Sequence, residues 1–350
     1  MERIQLVDPR LPIILTLGHL SAHTASPYGY LRKVVGRKAG RYKRVLFRKK
    51  VPGRSQYREI HIPEPSLLGI QQWIAREILS NTAPHPASFA YHPNSQPVYA
   101  ASRHCGCKWL LKVDIEDFFH SISERMVYDV FVSLGYTNLF SFELARITTM
   151  VRQENTSDKV SDKWTSIPSY YYPNIGFLPQ GAPTSPMLSN LVMKSLDERL
   201  DSLSRSRGFK YTRYADDLAF SINKDVPRAE VGSLKKEVNR VLLDEGFNPN
   251  RRKSVIRGPG SRRIILGMLV DSDTPRLSRE YKDQLRQHLY YLSSGAHGPA
   301  KHASVRKMSI STLFHHVRGK IAWAQKVEPM FGAECLVKFE SVDWPPIGQR

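Results

Sequence analysis

Tyr214-Ala215-Asp216-Asp217 decides the reading of this chain. The stretches Phe209-Lys210-Tyr211-Thr212-Arg213 and Leu218-Ala219-Phe220 flank it, and the pattern over 211–222 predicts two short strands around Ala215-Asp216. Two adjacent carboxylates facing one dry site repel each other, and a divalent cation removes that penalty. Hard oxygen ligands suit Mg²⁺. Taken alone, the pair reads equally well as an ordinary hairpin turn, because Asp favours turns. A second acidic element tips the balance. Leu110-Leu111-Lys112-Val113-Asp114-Ile115-Glu116-Asp117-Phe118-Phe119 predicts a strand over Trp109–Asp114 that ends on Asp114 beside two aromatics. In isolation, Asp114 also reads as a helix N-cap. A strand-end Asp with a hairpin carrying two more supplies the carboxylates that hold two metals about 3.5–4 Å apart for in-line phosphoryl chemistry.

Between these elements lies Leu178-Pro179-Gln180-Gly181-Ala182-Pro183-Thr184-Ser185-Pro186. Gly181 permits close backbone approach, and Pro186 suits a first helical turn. Such a turn lines a nucleotide or a template base, or is simply a loop cap.

Composition points toward a polyanion. The 350 residues suffice for two or three subdomains of roughly 100–200 residues each. Apolar residues make up 41% and charged residues 24%, which excludes a disordered chain. Lys and Arg total 52 against 32 Asp and Glu, a formal net charge of +20. That surplus favours phosphate-rich partners, since each neutralised phosphate releases a counterion; a solubility charge is the plainer reading. The three cysteines, Cys105, Cys107 and Cys335, are sparse and odd in number, as in a reducing compartment. His104-Cys105-Gly106-Cys107 has the look of half a zinc site, but no second pair stands at ligand spacing. No segment reaches the ~18 apolar residues of a membrane span. A cytoplasmic location is expected.

Periodicity fills in the rest. Short helical pieces are expected over 13–38, started by Ser26-Pro27, and a basic hairpin over 41–62 turning at Pro52-Gly53. A helix is expected from Pro65 to about Leu79, with Leu67, Ile70, Ile74 and Ile78 as its apolar stripe. Residues 81–107 and 153–174 read as loops. Helices are predicted over 124–134, 186–204 and 227–245, and a strand over 264–270. From Ser278 onward the pattern is helical and basic, with a break at Ser293-Ser294-Gly295 and a subdomain boundary near 272–277.

In this order, the three acidic and Gly-containing elements resemble the palm motifs of bacterial retron-type reverse transcriptases, the group that includes defence-associated enzymes. The resemblance extends to Tyr30-Leu31-Arg32-Lys33, the basic hairpin through Ile62-Pro63, Gly246-Phe247-Asn248 with Lys253, Leu266-Gly267-Met268-Leu269-Val270, and His316-Val317-Arg318-Gly319-Lys320-Ile321. It covers roughly residues 15–330. Two elements depart. Ala100-Ala101-Ser102-Arg103-His104 lacks the Asn of the usual Asn-Ala-x-x-His, and Ile265-Leu266-Gly267 stands where Val-Thr-Gly is usual.

The resemblance implies an α+β right-hand polymerase. Its parts would be an N-terminal helical segment over 1–40 and fingers over 41–107. A palm of antiparallel sheet and helices over 108–272 and a helical, RNA-contacting thumb over 273–350 would follow. It implies RNA-directed DNA synthesis that copies a dedicated non-coding RNA into cDNA in antiphage defence. In a true retron the product is multicopy RNA-linked single-stranded DNA. Asp114, Asp216 and Asp217, with the backbone of Ile115, would hold two Mg²⁺. Arg58, with Lys49 or Lys50, would grip the triphosphate. Gln180 would line the nucleotide pocket, and Lys253 would neutralise or protonate pyrophosphate. Phe119 would sit under the sugar and select deoxynucleotides. Arg276, Arg279, Arg318 and Lys320, interleaved with Tyr281, Tyr290, Tyr291 and Trp323, would track a nucleic-acid backbone. Taken singly, each cation reads as a solvated surface charge and Phe119 as core packing. Implied partners are a structured RNA, its cDNA, dNTPs and an effector protein, with no membrane. Group II intron-like and diversity-generating reverse transcriptases are rivals, although Ser185-Pro186 departs from the Ser-Gln of the latter. A non-catalytic RNA-binding scaffold is the other rival, and the intact aspartates argue against it.

Overall fold

The computed structural model describes residues 6–49, 56–93, 95–151 and 175–346. Lys50, the expected Pro52-Gly53 turn and the expected loop over 153–174 lie outside the described residues, whereas Tyr42–Lys49 and Gln56–Pro63 on either side of the turn lie within them.

Nine strands form three sheets among the described residues. β1 (Tyr42–Lys49) and β2 (Gln56–Pro63) make the expected antiparallel hairpin, with Phe47 opposite Arg58. β3 (Trp109–Asp114), β4 (Lys210–Tyr214), β5 (Asp217–Ile222) and β6 (Val255–Arg257) form a four-stranded sheet in the order β4-β5-β3-β6. β7 (Ile264–Ile265), β8 (Met268–Leu269) and β9 (Arg276–Leu277) form a small antiparallel sheet.

The chain divides into two compact units. The first comprises Met1–Ser95, Lys112–Leu218 and Gly232–Val255. Its apolar stripe Leu67, Ile70, Ile74 and Ile78 is fully buried, as the helical spacing predicts. Ser123 and Thr137 cap the helices Glu124–Ser133 and Asn138–Thr148 by accepting the N–H of Met126 and Phe140. The second unit comprises Gln96–Leu111, Ala219–Val231 and Ile256–Arg350. Four helices, Arg279–Ser293, Gly298–Val305, Ile310–Val327 and Pro329–Glu340, bury Leu285, Leu289, Leu313, Val317, Ile321 and Phe339 in its core. Ser278 and Ser309 cap the first and third of these.

Four expectations need correction. The helix from Pro65 is α-helical only through Trp73, then becomes a π-helical turn at Ile74–Ile78 and a 3₁₀ turn at Leu79–Asn81. The 81–107 segment is not all loop, because Pro97 at the first turn opens a helix over Pro97–Ser102. The helix expected over 186–204 is two, Ser185–Val192 and Lys194–Ser206, broken at Met193. The strand expected over 264–270 is a tight hairpin. Leu266 (φ 48°) and Gly267 (φ 83°) both take left-handed backbone, the conformation of a type I′ turn between β7 and β8. No helix among the described residues is long and apolar enough to cross a membrane.

Candidate active site

Backbone hydrogen bonds bring the carboxylates together. Alternation along β3 puts Lys112 and Asp114 on one side of the strand and the buried Leu111 and Val113 on the other. Just past the strand end, the Ile115 N–H donates to the Asp216 carbonyl at 3.0 Å. The Asn250 N–H donates to the Asp114 carbonyl at 2.7 Å, and the Glu116 N–H to the Asn248 carbonyl at 2.8 Å. Three segments far apart in sequence are thereby laced at one point. Asn250 also folds its own turn. Its Oδ1 accepts the N–H groups of Arg252 and Lys253, an Asx turn that delivers Lys253 to the carboxylates. Asp114 caps no helix: it ends β3, and its carboxylate faces Lys253.

The Ala215-Asp216 turn is braced from beneath. Ala215 takes φ 55°, a left-handed conformation that lets two residues reverse the chain between β4 and β5. Arg213, fully buried in β4, donates Nη1 to the Ala215 carbonyl at 3.3 Å and to Asn190 Oδ1 at 3.1 Å. Its guanidinium forks onto Asp197, Nε to Oδ1 at 2.8 Å and Nη2 to Oδ2 at 2.7 Å. The Tyr211 hydroxyl donates to the same Asp197 Oδ1 at 2.8 Å. This buried network fixes the acidic turn to both helices, Ser185–Val192 and Lys194–Ser206.

Two lysines hold the acids. Lys253 Nζ lies 3.0 Å from both Asp114 oxygens, and Lys112 Nζ lies 2.9 Å from Asp217 Oδ2. Burial nonetheless pushes the Asp114 carboxyl above the usual range, with Asp216 and Asp217 adding to the rise against Lys253. Burial likewise raises Asp217, and Asp216 adds to it against Lys112. Among the described residues no three His, Cys, Asp or Glu side chains converge into a ready cation cage. The donor set still fits a hard divalent cation. The carboxylates repel one another, offer only oxygen, and already draw two cationic ammonium groups. Lys253 is 60% exposed at its side chain and has room to swing aside.

The other expected residues fall into three places. Phe118 is buried, while Phe119 is half-buried with its ring 5.4 Å from that of Phe118. Gln180 is half-buried, and its carbonyl accepts the His61 N–H at 2.7 Å, which ties β2 to the 178–181 turn. Gly181 (φ 118°) is required there, because a Cβ would stand 2.7 Å from Ile60 Cγ2 and 3.0 Å from the His61 carbonyl. The close approach that glycine permits is therefore to β2. Arg58 is exposed on that same strand. Lys49 closes β1, and its side chain, like Lys50, lies outside the described residues.

In the second unit, Arg276 pairs with Asp271 at 2.9 Å and Arg279 with Asp283 at 3.5 Å. Arg318 is exposed over Phe314. Lys320 packs 4.7 Å above the Tyr281 ring and bonds Gln284, and burial lowers its pKa. His104, of the motif that lacks Asn, is buried with Nδ1 2.6 Å from Ser221 Oγ. Sequence reasoning passed over Lys112 and Arg213. Lys112 was findable, since it stands two residues before Asp114 on a strand.

Known proteins carry the same pattern. The family model for reverse transcriptase (RNA-dependent DNA polymerase) matches residues 47–270. The chain is 30% identical to the Retron Ec86 reverse transcriptase of Escherichia coli over 97% of each chain. It is 29% identical to the Retron Mx65 reverse transcriptase of Myxococcus xanthus, over 94% of this chain and 72% of that one. A solved structure of telomerase from Candida albicans with a fragment of telomeric RNA matches at TM-score 0.43 and 10% identity, over 86% of this chain and 63% of that one, too slight a likeness to add to the argument. Palm-type motifs in order and near full-length similarity to retron enzymes mean that the chain belongs to the reverse transcriptases, the RNA-directed DNA polymerases, and among them to the retron type.

Proposed function

We propose that this enzyme copies one dedicated, structured non-coding RNA into cDNA, by nucleotidyl transfer with two Mg²⁺, in a cytoplasmic antiphage system. The observation that carries the reading is the Ile115–Asp216 backbone bond, which joins the strand bearing Asp114 to the turn bearing Asp216 and Asp217. Bound divalent ions would supply a lowered pKa for the primer hydroxyl and charge neutralisation for the leaving pyrophosphate.

The chain's own residues do the rest. Asp114, Asp216, Asp217 and the Ile115 backbone hold the ions. Arg58 meets the triphosphate from its exposed position on β2, assisted by Lys49, which ends the paired strand β1, or by Lys50. Gln180 lines the base pocket. Phe119, half-buried five residues past Asp114, serves as the plate under the sugar that turns away a 2′-hydroxyl, so deoxynucleotides are selected. Lys253 balances Asp114 before substrate enters and then stands available to the pyrophosphate. The work is positioning and charge stabilisation.

The fingers (41–107), palm (108–272) and thumb (273–350), after the N-terminal segment (1–40), form part of the same proposal. Arg276, Arg279, Arg318 and Lys320 serve the RNA there. A net charge of +20 suits extensive phosphate contact, and about six to ten such contacts would make binding fall ~10³–10⁵-fold between 50 and 200 mM salt. Shape-specific contacts with one folded RNA retain the template under cellular salt. The relatives named as retron reverse transcriptases support an RNA template; a linked DNA, dNTPs and an effector protein complete the partners of this proposal. The altered Ala100–His104 and Ile265–Gly267 elements favour an RNA unlike the standard one. The test is to sequence RNA and DNA recovered with protein expressed from its native flanking sequence. One enriched RNA with a matching cDNA is expected. A random sample of cellular RNA contradicts the reading and favours a general-purpose reverse transcriptase.

A further inference from the structure

One further aromatic stands beside the acidic turn. Tyr91 is 42% exposed, and its ring centroid lies 6.2 Å from Phe119 and 6.5 Å from Tyr214. Burial raises its hydroxyl pKa, the charge of Asp216 adds to the rise, and Arg58 and Arg213 oppose it. Tyr91 therefore sits in the field of one proposed metal ligand and of the proposed triphosphate arginine.

The segment that carries it is anchored. Ser88 bridges Arg213 in parallel; the Phe89 N–H donates to the Arg213 carbonyl at 2.8 Å, and the Arg213 N–H donates to the Ala87 carbonyl at 2.7 Å. Asn190 Nδ2 donates to the Ala90 carbonyl at 2.6 Å, and Ser88 Oγ donates to Asn190 Oδ1 at 2.9 Å. From this fixed base Tyr91 takes φ 64°, a left-handed conformation that favours glycine over a bulky side chain. A large ring held in strained backbone, half in solvent, returns little to the core. What it does face are the rings of Phe119 and Tyr214, and of the two Phe119 is the proposed sugar plate. The Phe119 ring has Phe118 and Tyr91 as aromatic neighbours. Aromatic pairs at these separations restrict each other's tilt.

We propose that Tyr91 is a positioning residue of the sugar gate: it backs the Phe119 ring and holds it at the height where a 2′-hydroxyl would strike it. This rests on the reading of Phe119 given above. Without Tyr91, Phe119 gains rotamer freedom and the gate loosens toward ribonucleotides, while the phosphate and base contacts stay in place.

Tyr91→Gly removes the ring and suits the left-handed backbone, so it tests the contact without adding strain. Tyr91→Phe keeps the ring and removes the hydroxyl. The full chain with its RNA is assayed by single-nucleotide extension, using a deoxynucleoside triphosphate and the matching ribonucleoside triphosphate. Tyr91→Gly should raise the ribo-to-deoxy ratio of kcat/KM about tenfold. Tyr91→Phe should restore the wild-type ratio, and Tyr91→Gly combined with Phe119→Ala should go no higher than Phe119→Ala alone. A purely structural role would lower both sugars together and leave the ratio fixed, which overturns the proposal. If Phe119→Ala opens the ratio and Tyr91→Gly does not, Tyr91 is refuted and the gate stands. If neither moves it, the gate reading fails and takes the proposal with it.

Discussion

Lys253 holds Asp114 by both carboxylate oxygens, each 3.0 Å from its ammonium. The pair joins the turn after Asn250 to the end of β3, and its strand-borne counterpart Lys112 holds Asp217. The site thus carries its own counter-charge before any substrate enters. Lys253→Met keeps the stem and removes the charge. It should lower single-turnover incorporation about 10²-fold, the usual scale for a positioned proton donor. A wild-type rate contradicts the role given to Lys253.

Gly181 makes a separate prediction. A methyl group there meets Ile60 and the His61 carbonyl across from it. Gly181→Ala should destabilise the protein by ~1–3 kcal/mol, the scale of an overpacked contact. It should also raise KM for dNTP, because β2 carries Arg58. Urea denaturation and steady-state extension read the two effects. An unchanged midpoint shows that β2 and the turn are not in contact in solution.

The Arg213–Asp197 pair is buried at both ends, so its partners are not interchangeable with solvent. Asp197→Ala leaves a guanidinium buried without its carboxylate and should cost about 3–5 kcal/mol in urea unfolding. The acidic turn should loosen with it, since Arg213 also bonds the Ala215 carbonyl. A loss under 1 kcal/mol would contradict the bracing argument.

Acid sensitivity should arise in the helical unit. His288 is buried with Nδ1 3.0 Å from His302 Nε2, and its pKa is lowered to about 4 by burial first, then by Arg306, His302, His316 and Lys320. Burial lowers His302 as well. With the folded pKa below the ordinary 6.5, the unfolded chain binds more protons in between. Stability from the neutral pair is complete above pH 6.5 and drains away as pH falls toward about 4. The melting temperature should fall across that window, and His288→Gln, which cannot protonate, should flatten the decline. An equal decline in the variant assigns the acid sensitivity elsewhere.

Much of this was legible where sequence and structure share a short range. β3 falls on the residues its apolar run marks, and the hairpin around Ala215-Asp216 falls where the flanking runs put it. The Leu67, Ile70, Ile74, Ile78 stripe is buried even though its helix changes hydrogen-bond pattern at Ile74. Left-handed Leu266 and the break at Met193 were not legible, since neither residue type signals a turn. Nor were the long-range polar pairs. Nothing local announces that Arg213 will meet Asp197, or that Tyr91 will face Phe119, because those contacts arise from tertiary packing.

Primer extension by the carboxylate variants tests the central claim most directly. Asp114→Asn, Asp216→Asn and Asp217→Asn should each abolish cDNA synthesis in Mg²⁺, since a carboxylate lost from a two-metal site removes several kcal/mol of charge stabilisation. The RNA should still co-purify with each variant, and the melting temperature should stay close to that of the wild type. Wild-type extension by any one of the three contradicts the assignment of polymerase chemistry to the Asp114, Asp216 and Asp217 constellation.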